Sequence, residues 1–368
     1  MIPFVDLKTQ YIRHKKEFQK AINEVLDNTA FILGKTVEQF EDEFSGFIGS
    51  RYAVGVASGT DALHLALRAT GISREDEVIT VTNTFYATTA AIELAGAKPV
   101  LVDCDPTTYL MDLSAAEAAI TSKTRAIIPV HLYGQAVDMD KVLAIAQKHN
   151  LIVVEDTCQA HGTKYKGQGA GTFGLAGAFS FYPGKNLGAF GDGGAVTTDN
   201  QEIHEKLLAL RNYGSTQKYF HPTFGTNSRL DGIQAAVLRV KLPFLAEWNQ
   251  ARFLAAERYI RNLAGHPGIV LPGHAENSTH IYHLFVIQVN RNRDEVLKKL
   301  AEQNIQAGIH YPIPLHLQQA YHYLGYQKGD FPEAESSSQK IISLPIFPEI
   351  THDQIDFVCD SLINILDE

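Results

Sequence analysis

An amine and a carboxylate carry the most chemistry in this chain. Lys185 lies in SFYPGKNLGAFGDGGA (180–195), a run crowded with turn-forming residues. Asp156, twenty-nine residues earlier, ends the apolar run LIVVED (151–156), which reads as a buried parallel strand. A primary amine in a glycine-rich turn can form a Schiff base with an aldehyde. A buried carboxylate can keep a pyridine nitrogen protonated, so that the ring accepts electrons. The two together are what pyridoxal 5′-phosphate chemistry requires. Each alone has a plainer reading, as a solvated loop lysine and as a helix-capping aspartate.

Three further segments point the same way. SGTDALHLAL (58–67) follows the strand-like YAVGVAS (52–58), and its leucines and alanines are spaced for a buried helix. Thr60 or Asp61 is then the expected N-cap, and the free amides around Gly59 and Thr60 make an anion site. An ordinary capped helix is the alternative. A helix dipole contributes only about 0.3–2 kcal/mol, so a phosphate also needs side-chain donors, for which Ser180 and Asn227 are candidates. In TNTFYATTAAI (82–92), Phe85 or Tyr86 either offers the pyridine ring a flat face or packs in the core. In EDTCQAHG (155–162), the Gln159 amide either bonds the cofactor hydroxyl or fixes the turn.

The elements that must position these residues alternate. Strand candidates are YAVGVAS, DEVITV, KPVLVD, RAIIPVHL, LIVVED, AGAFSF and GAVTTD, with helical patterns between most of them. That predicts an α/β fold with a largely parallel sheet covered by helices on both faces. Ligands of such sheets bind beyond the carboxyl ends of the strands, where Ser58, Asp156 and Ser180 fall. A long helical region from Leu230 is broken at Pro243. The remainder reads as a smaller C-terminal α+β domain, giving units of 1–245 and 246–368. The glycine stretches KGQGAGTFG (166–174) and GAFGDGGA (188–195) lack the spacing of a dinucleotide loop and read as tight turns near Lys185.

The ordered set of an SGTDAL segment, NTFYAT, EDTCQAHG, SFYPGKNLGAFGDGG and GTNSRLDGIQAA resembles the sugar aminotransferase family named after DegT, DnrJ, EryC1 and StrS. MIPFVDLKTQY and FILGKTVEQFEDEF (31–44) extend the resemblance nearly end to end. It implies a type I aminotransferase fold, a homodimer with shared active sites, L-glutamate as donor and a nucleotide-linked keto-sugar as acceptor. Carried over by position, Lys185 is the Schiff-base lysine and Asp156 the partner of the pyridine nitrogen. Phe85 is the stacking aromatic, Gly59, Thr60 and Ser180 hold the phosphate, and Gln159 lies beside the ring. Asn227 reaches the phosphate of the neighbouring subunit. Some relatives carry His in place of the lysine and act as dehydratases; Lys185 argues for amino transfer. A non-catalytic regulatory protein on the same scaffold would have little need for the Asp156–Lys185 pair.

For the sugar, Tyr182, Tyr213, Tyr219 and His310 are the candidate contacts, each with loop packing as its alternative. Tyr182 stands where some relatives that aminate C4 carry His. FYPGKN, RNYGS and HYPIPLHLQ together resemble the branch that aminates C3 of a dTDP-linked 6-deoxy-3-ketohexose. Gluco and galacto products both stay open, and a C4-aminating enzyme is the alternative.

Bulk properties narrow the partners. At 368 residues and 45% hydrophobic, the chain can bury a large core. A net charge of −9 argues against a general nucleic-acid binder. Cys104, Cys158 and Cys359 are too scattered for a disulfide framework or a zinc site, so no metal is expected. No run is apolar enough to cross a membrane, and the start lacks the pattern of an export signal, so the chain reads as cytoplasmic.

Overall fold

The structure, a computed structural model, describes residues 1–368. Its main sheet has seven strands, all from the runs expected above. They are β1 (Tyr52–Val56), β2 (Glu77–Val81), β3 (Lys98–Val102), β4 (Thr124–Ile128), β5 (Ile152–Asp156), β8 (Ala176–Ser180) and β9 (Gly194–Thr198). A short ladder, β6 (Lys164–Tyr165) with β7 (Gln168–Gly169), stands apart. The order across the main sheet is β1-β9-β8-β5-β4-β2-β3. Pairs from β8 through β5, β4 and β2 to β3 are parallel, while β9 runs antiparallel to both β1 and β8.

The interior strands are apolar because both faces are covered. Ala126, Ile127, Ile128 and Val154 are fully buried, and join one core with Leu63, Leu65 and Leu67 of the helix Gly59–Ala69. That helix begins two to three residues earlier than expected. Ser58, in extended backbone, is the N-cap, and its Oγ accepts from the Asp61 amide at 3.1 Å. Neither Thr60 nor Asp61 caps it, because both already lie in the first turn. The break at Pro243 forms as expected, with a 3₁₀ turn Leu242–Phe244 between the helices Gly232–Lys241 and Leu245–Leu263.

A second sheet, β10 (Ile269–Val270), β11 (Phe285–Val289) and β12 (Ile341–Leu344), is antiparallel. With the helices Leu245–Leu263 and His352–Asp367 it closes a separate core around Phe285, Ile342, Val358 and Leu362. Ile2 also packs there. The division at 245/246 is kept as a proposed boundary, falling at the head of the helix that links the two sheets.

Candidate active site

The site builds up at the ends of three strands. Asp156 is the last residue of β5 and Ser180 the last of β8, while Ser58 and Gly59 follow β1. A Cβ on Gly59 would lie 2.6 Å from Ser180 Cβ and 3.0 Å from Cys158 Sγ. Only a residue without a side chain lets the helix start touch Ser180 so closely. The orphan amides of that first turn and the Ser180 hydroxyl therefore share one small space, the make-up of an anion cradle.

Asp156 is buried and held on both oxygens. Oδ2 accepts from Thr88 Oγ1 at 2.7 Å, and Oδ1 from the Cys158 amide at 3.2 Å. Thr88 was not foreseen; a hydroxyl three residues past Phe85 looks in sequence like any helix-face threonine. Gln159 is likewise buried. Its Oε1 accepts from the Tyr133 amide at 2.8 Å, and its Nε2 donates to Tyr311 Oη at 3.1 Å. The Tyr311 ring lies 5.4 Å from that of Phe85, which is half-exposed at the start of the helix Tyr86–Leu94.

Lys185 lies in a tight turn, its amide donating to Tyr182 O at 2.8 Å. A Cβ on Gly188 would come within 2.2 Å of Pro183 O, so that turn needs glycine. Burial lowers the Lys185 amine below its ordinary pKa, and the charges of Cys158 and Asp156 oppose the shift. The Cys158 thiol is pushed well up by burial first and by Asp156 second. GAFGDGGA thus serves Lys185 as expected. KGQGAGTFG does not: its Gly171, Phe173 and Gly174 amides wrap the buried Glu155 carboxylate, which also bonds His131 Nε2 at 3.0 Å.

A profile described as the DegT/DnrJ/EryC1/StrS aminotransferase family matches residues 13–363. The chain belongs to that family. A dTDP-3-amino-3,6-dideoxy-alpha-D-galactopyranose transaminase of Aneurinibacillus thermoaerophilus is 47% identical, over 98% of this chain and 99% of its own. A protein of Geobacillus stearothermophilus named pleiotropic regulatory protein is 44% identical, over 98% and 97%. Among solved structures, Streptomyces venezuelae DesV in complex with a ketimine intermediate aligns with a TM-score of 0.97 at 46% identity, covering 100% and 99% of the two chains. Bacillus subtilis ntda with bound cofactor pmp aligns at 0.89 and 34% identity, covering 97% and 82%.

In this family member the remaining expected residues fall into two groups. Tyr182 is 60% exposed beside Ser180, its amide 3.4 Å from Ser180 Oγ. The His310 ring stacks on Phe4 and bonds Ser343 Oγ at 2.8 Å, within electrostatic reach of Lys185. Tyr311, its neighbour, is the residue of that pair that meets Gln159 and Phe85. Tyr213 and Tyr219 stand on a loop that follows the helix Gln201–Leu210 and is closed at its base by the Asn212–Asn227 bridge. Arg229 lies 5.7 Å over the Tyr213 ring, and Tyr219 is 82% exposed. No contact within the chain joins either tyrosine to Lys185. Asn227 is exposed at the loop base. The next residue, Ser228, donates to Asp61 Oδ2 at 2.9 Å and accepts from the Ala57 amide at 3.2 Å, tying the base to its own cradle. No helix is long and apolar enough to cross a membrane.

Proposed function

We propose that this aminotransferase uses pyridoxal 5′-phosphate to move the amino group of L-glutamate to C3 of a dTDP-linked 3-keto-6-deoxyhexose, giving a dTDP-3-amino-3,6-dideoxyhexose. The meeting of Lys185, Asp156 and the Gly59–Ser180 cradle at one end of the sheet carries the assignment. These residues fit the cofactor. Gly59, Thr60 and Ser180 would take its phosphate, Asp156 its ring nitrogen, Phe85 one ring face and Gln159 its hydroxyl edge. Bound there, it supplies an aldehyde for the lysine and a ring that accepts the electrons of a broken Cα–H bond. Thr88 and the Cys158 amide each donate to Asp156, fixing the orientation of both carboxylate oxygens. The lowered pKa of Lys185 leaves more of its amine free to take the proton from glutamate Cα and hand it on.

The C3 and dTDP choices are supported by the name of the Aneurinibacillus relative and by FYPGKN, RNYGS and HYPIPLHLQ. Tyr182, Tyr213, Tyr219 and His310 are the proposed sugar contacts. With them goes a cytoplasmic homodimer in which Asn227 serves the partner's phosphate, and a product suited to lipopolysaccharide or other glycan assembly. The name of the Geobacillus relative favours a second reading, a regulator on the same scaffold.

One experiment separates these. One portion of the cofactor-loaded protein is reduced with borohydride to mark the linked lysine, and a separate, unreduced portion is assayed with glutamate against dTDP- and UDP-linked 3-keto and 4-keto sugars. Modification at Lys185, absent in Lys185→Ala, and turnover of the dTDP 3-keto sugar are expected. Turnover of a 4-keto sugar alone would move the chain to the C4 branch. No modification and no turnover would leave the regulatory reading.

A further inference from the structure

The turn that carries Lys185 is fixed by side chains with no role so far. Asn186, 4% exposed, uses both ends of its amide. Nδ2 donates to Asn249 Oδ1 at 2.8 Å and to Ile281 O at 3.3 Å, and Oδ1 accepts from His283 Nδ1 at 3.1 Å. With two oxygens facing Nδ2, the amide orientation is set, and His283 must carry its hydrogen on Nδ1. Asn249 in turn donates Nδ2 to His161 O at 2.8 Å, and His161 Nε2 donates to Ser180 O at 2.8 Å. The bonds run from His283, through the residue next to Lys185, to the serine of the anion cradle. They cross from the 281–283 segment and the helix Leu245–Leu263 to the end of β8.

Such a chain is costly to leave half-made, because Asn186, Asn249 and His161 are buried and His283 is half-buried. It also sits within electrostatic reach of the amine. Burial first, and the Lys185 charge second, push His161 down to about 3 and His283 well below the ordinary histidine value. Both rings are therefore neutral, and each has one bond fixing its tautomer. A lysine side chain is flexible along its four-carbon stem. Its amine can be placed only if the peptide that bears it is held, and the Asn186 side chain holds that peptide from the far side of the turn.

We propose that Asn186, clamped between His283 and Asn249, is a positioning residue that keeps Lys185 in register with Asp156. It rests on the assignment of Lys185 made above. The test compares cofactor-loaded parent protein with His283→Leu, Asn249→Ala and His283→Asn. Asparagine at 283 keeps an N–H near the position of Nδ1 but cannot titrate. Visible circular dichroism per bound cofactor reads how rigidly the Lys185-linked group is held. Single-turnover reaction with glutamate reads how well the amine is placed. His283→Leu and Asn249→Ala should lower the dichroism clearly and slow the half-reaction about 10- to 100-fold, with little change in the glutamate KM. His283→Asn should bring both signals back to within about twofold of the parent. Folded variants that match the parent in both signals, whatever their Tm, overturn the proposal, as does a His283→Asn variant as impaired as His283→Leu. If His283→Leu does not fold, Asn249→Ala carries the comparison. Failure of the Lys185 assignment itself looks different, since the parent would then show no borohydride-fixed band.

Discussion

One methyl group at Gly59 should pull the anion cradle apart. The Cβ of Gly59→Ala would sit 2.6 Å from Ser180 Cβ, 3.0 Å from Cys158 Sγ and 3.1 Å from Ser180 Oγ. Carbon atoms pack best at about 3.5–4.0 Å, so helix and strand must part by roughly 1 Å. Neither moves freely. Ser180 is paired with Gly194 in the β8–β9 ladder, and its carbonyl is bonded by His161. On the other side Gly194 presses on the helix start, where a Cβ of its own would lie 2.9 Å from the Gly59 nitrogen. Overpacking of this kind costs about 1–3 kcal/mol. Gly59 is not in the left-handed backbone region, so strain of φ plays no part. If binding the cofactor phosphate demands the unshifted geometry, the same energy leaves affinity, about 5- to 150-fold. Gly46→Ala is the control. It lies in the helix Lys35–Ile48 with nothing within 4 Å of its Cβ, so the same change should stabilise by about 0.5–1 kcal/mol. Absorbance titration of the apo protein with pyridoxal 5′-phosphate, beside thermal unfolding, measures both quantities. A folded Gly59→Ala protein that binds the cofactor as tightly as the parent would refute the cradle.

Thr88→Val keeps shape but removes the donor to Asp156 Oδ2, and should cost about 1.5–3 kcal/mol in urea unfolding; an unchanged midpoint would show the bond to be worth nothing. Acid should destabilise the fold through three histidines lowered mainly by burial, His161 and His280 to about 3 and His310 to about 4. Their folded values lie below the unfolded one, so the unfolded chain binds more protons as pH falls from about 6.5, and stability drops by roughly 2 kcal/mol per histidine between about pH 7 and pH 5. A flat stability profile across that range contradicts it. Mixing Lys185→Ala with Asn227→Ala chains should restore activity if Asn227 serves the partner's site, because one heterodimer site is then intact. No recovery, with mixed dimers confirmed and Asn227→Ala impaired alone, assigns Asn227 to its own cradle, where Ser228 already anchors the loop base.

The sheet was legible because parallel strands covered on both faces must be apolar throughout, as Ile127 and Val154 are. Their order was not, since nothing within GAVTTD says that β9 will run against β1 and β8. Ser58, Asp156 and Ser180 could be gathered from strand ends alone, and Lys185 from its glycine-rich turn. What supports them could not. Thr88 reaches Asp156 across 68 residues, and Asn186 meets Asn249 across 63, so no local pattern marks either pair. The helix cap is Ser58 and not Thr60 or Asp61, because SGTD holds three capping side chains within four residues, and only the fold decides which stays extended.

The reversed strand β9 also sets a schedule. β1 is formed early in the chain, yet its one neighbour in the sheet is β9, which ends at Thr198. Contacts of such long sequence separation close slowly. During synthesis the first part of the chain must wait, without its ladder, while residues 57–193 are made. Lys185 and Asp156 are both present before Gly194 emerges, but the strand that sets the Gly59 helix against Ser180 is not. A chain stalled there owns the reactive groups and lacks the clamp that gives them a phosphate to hold. Since a ligand stabilises only the state that binds it, the cofactor rewards completion of the sheet and not its beginning.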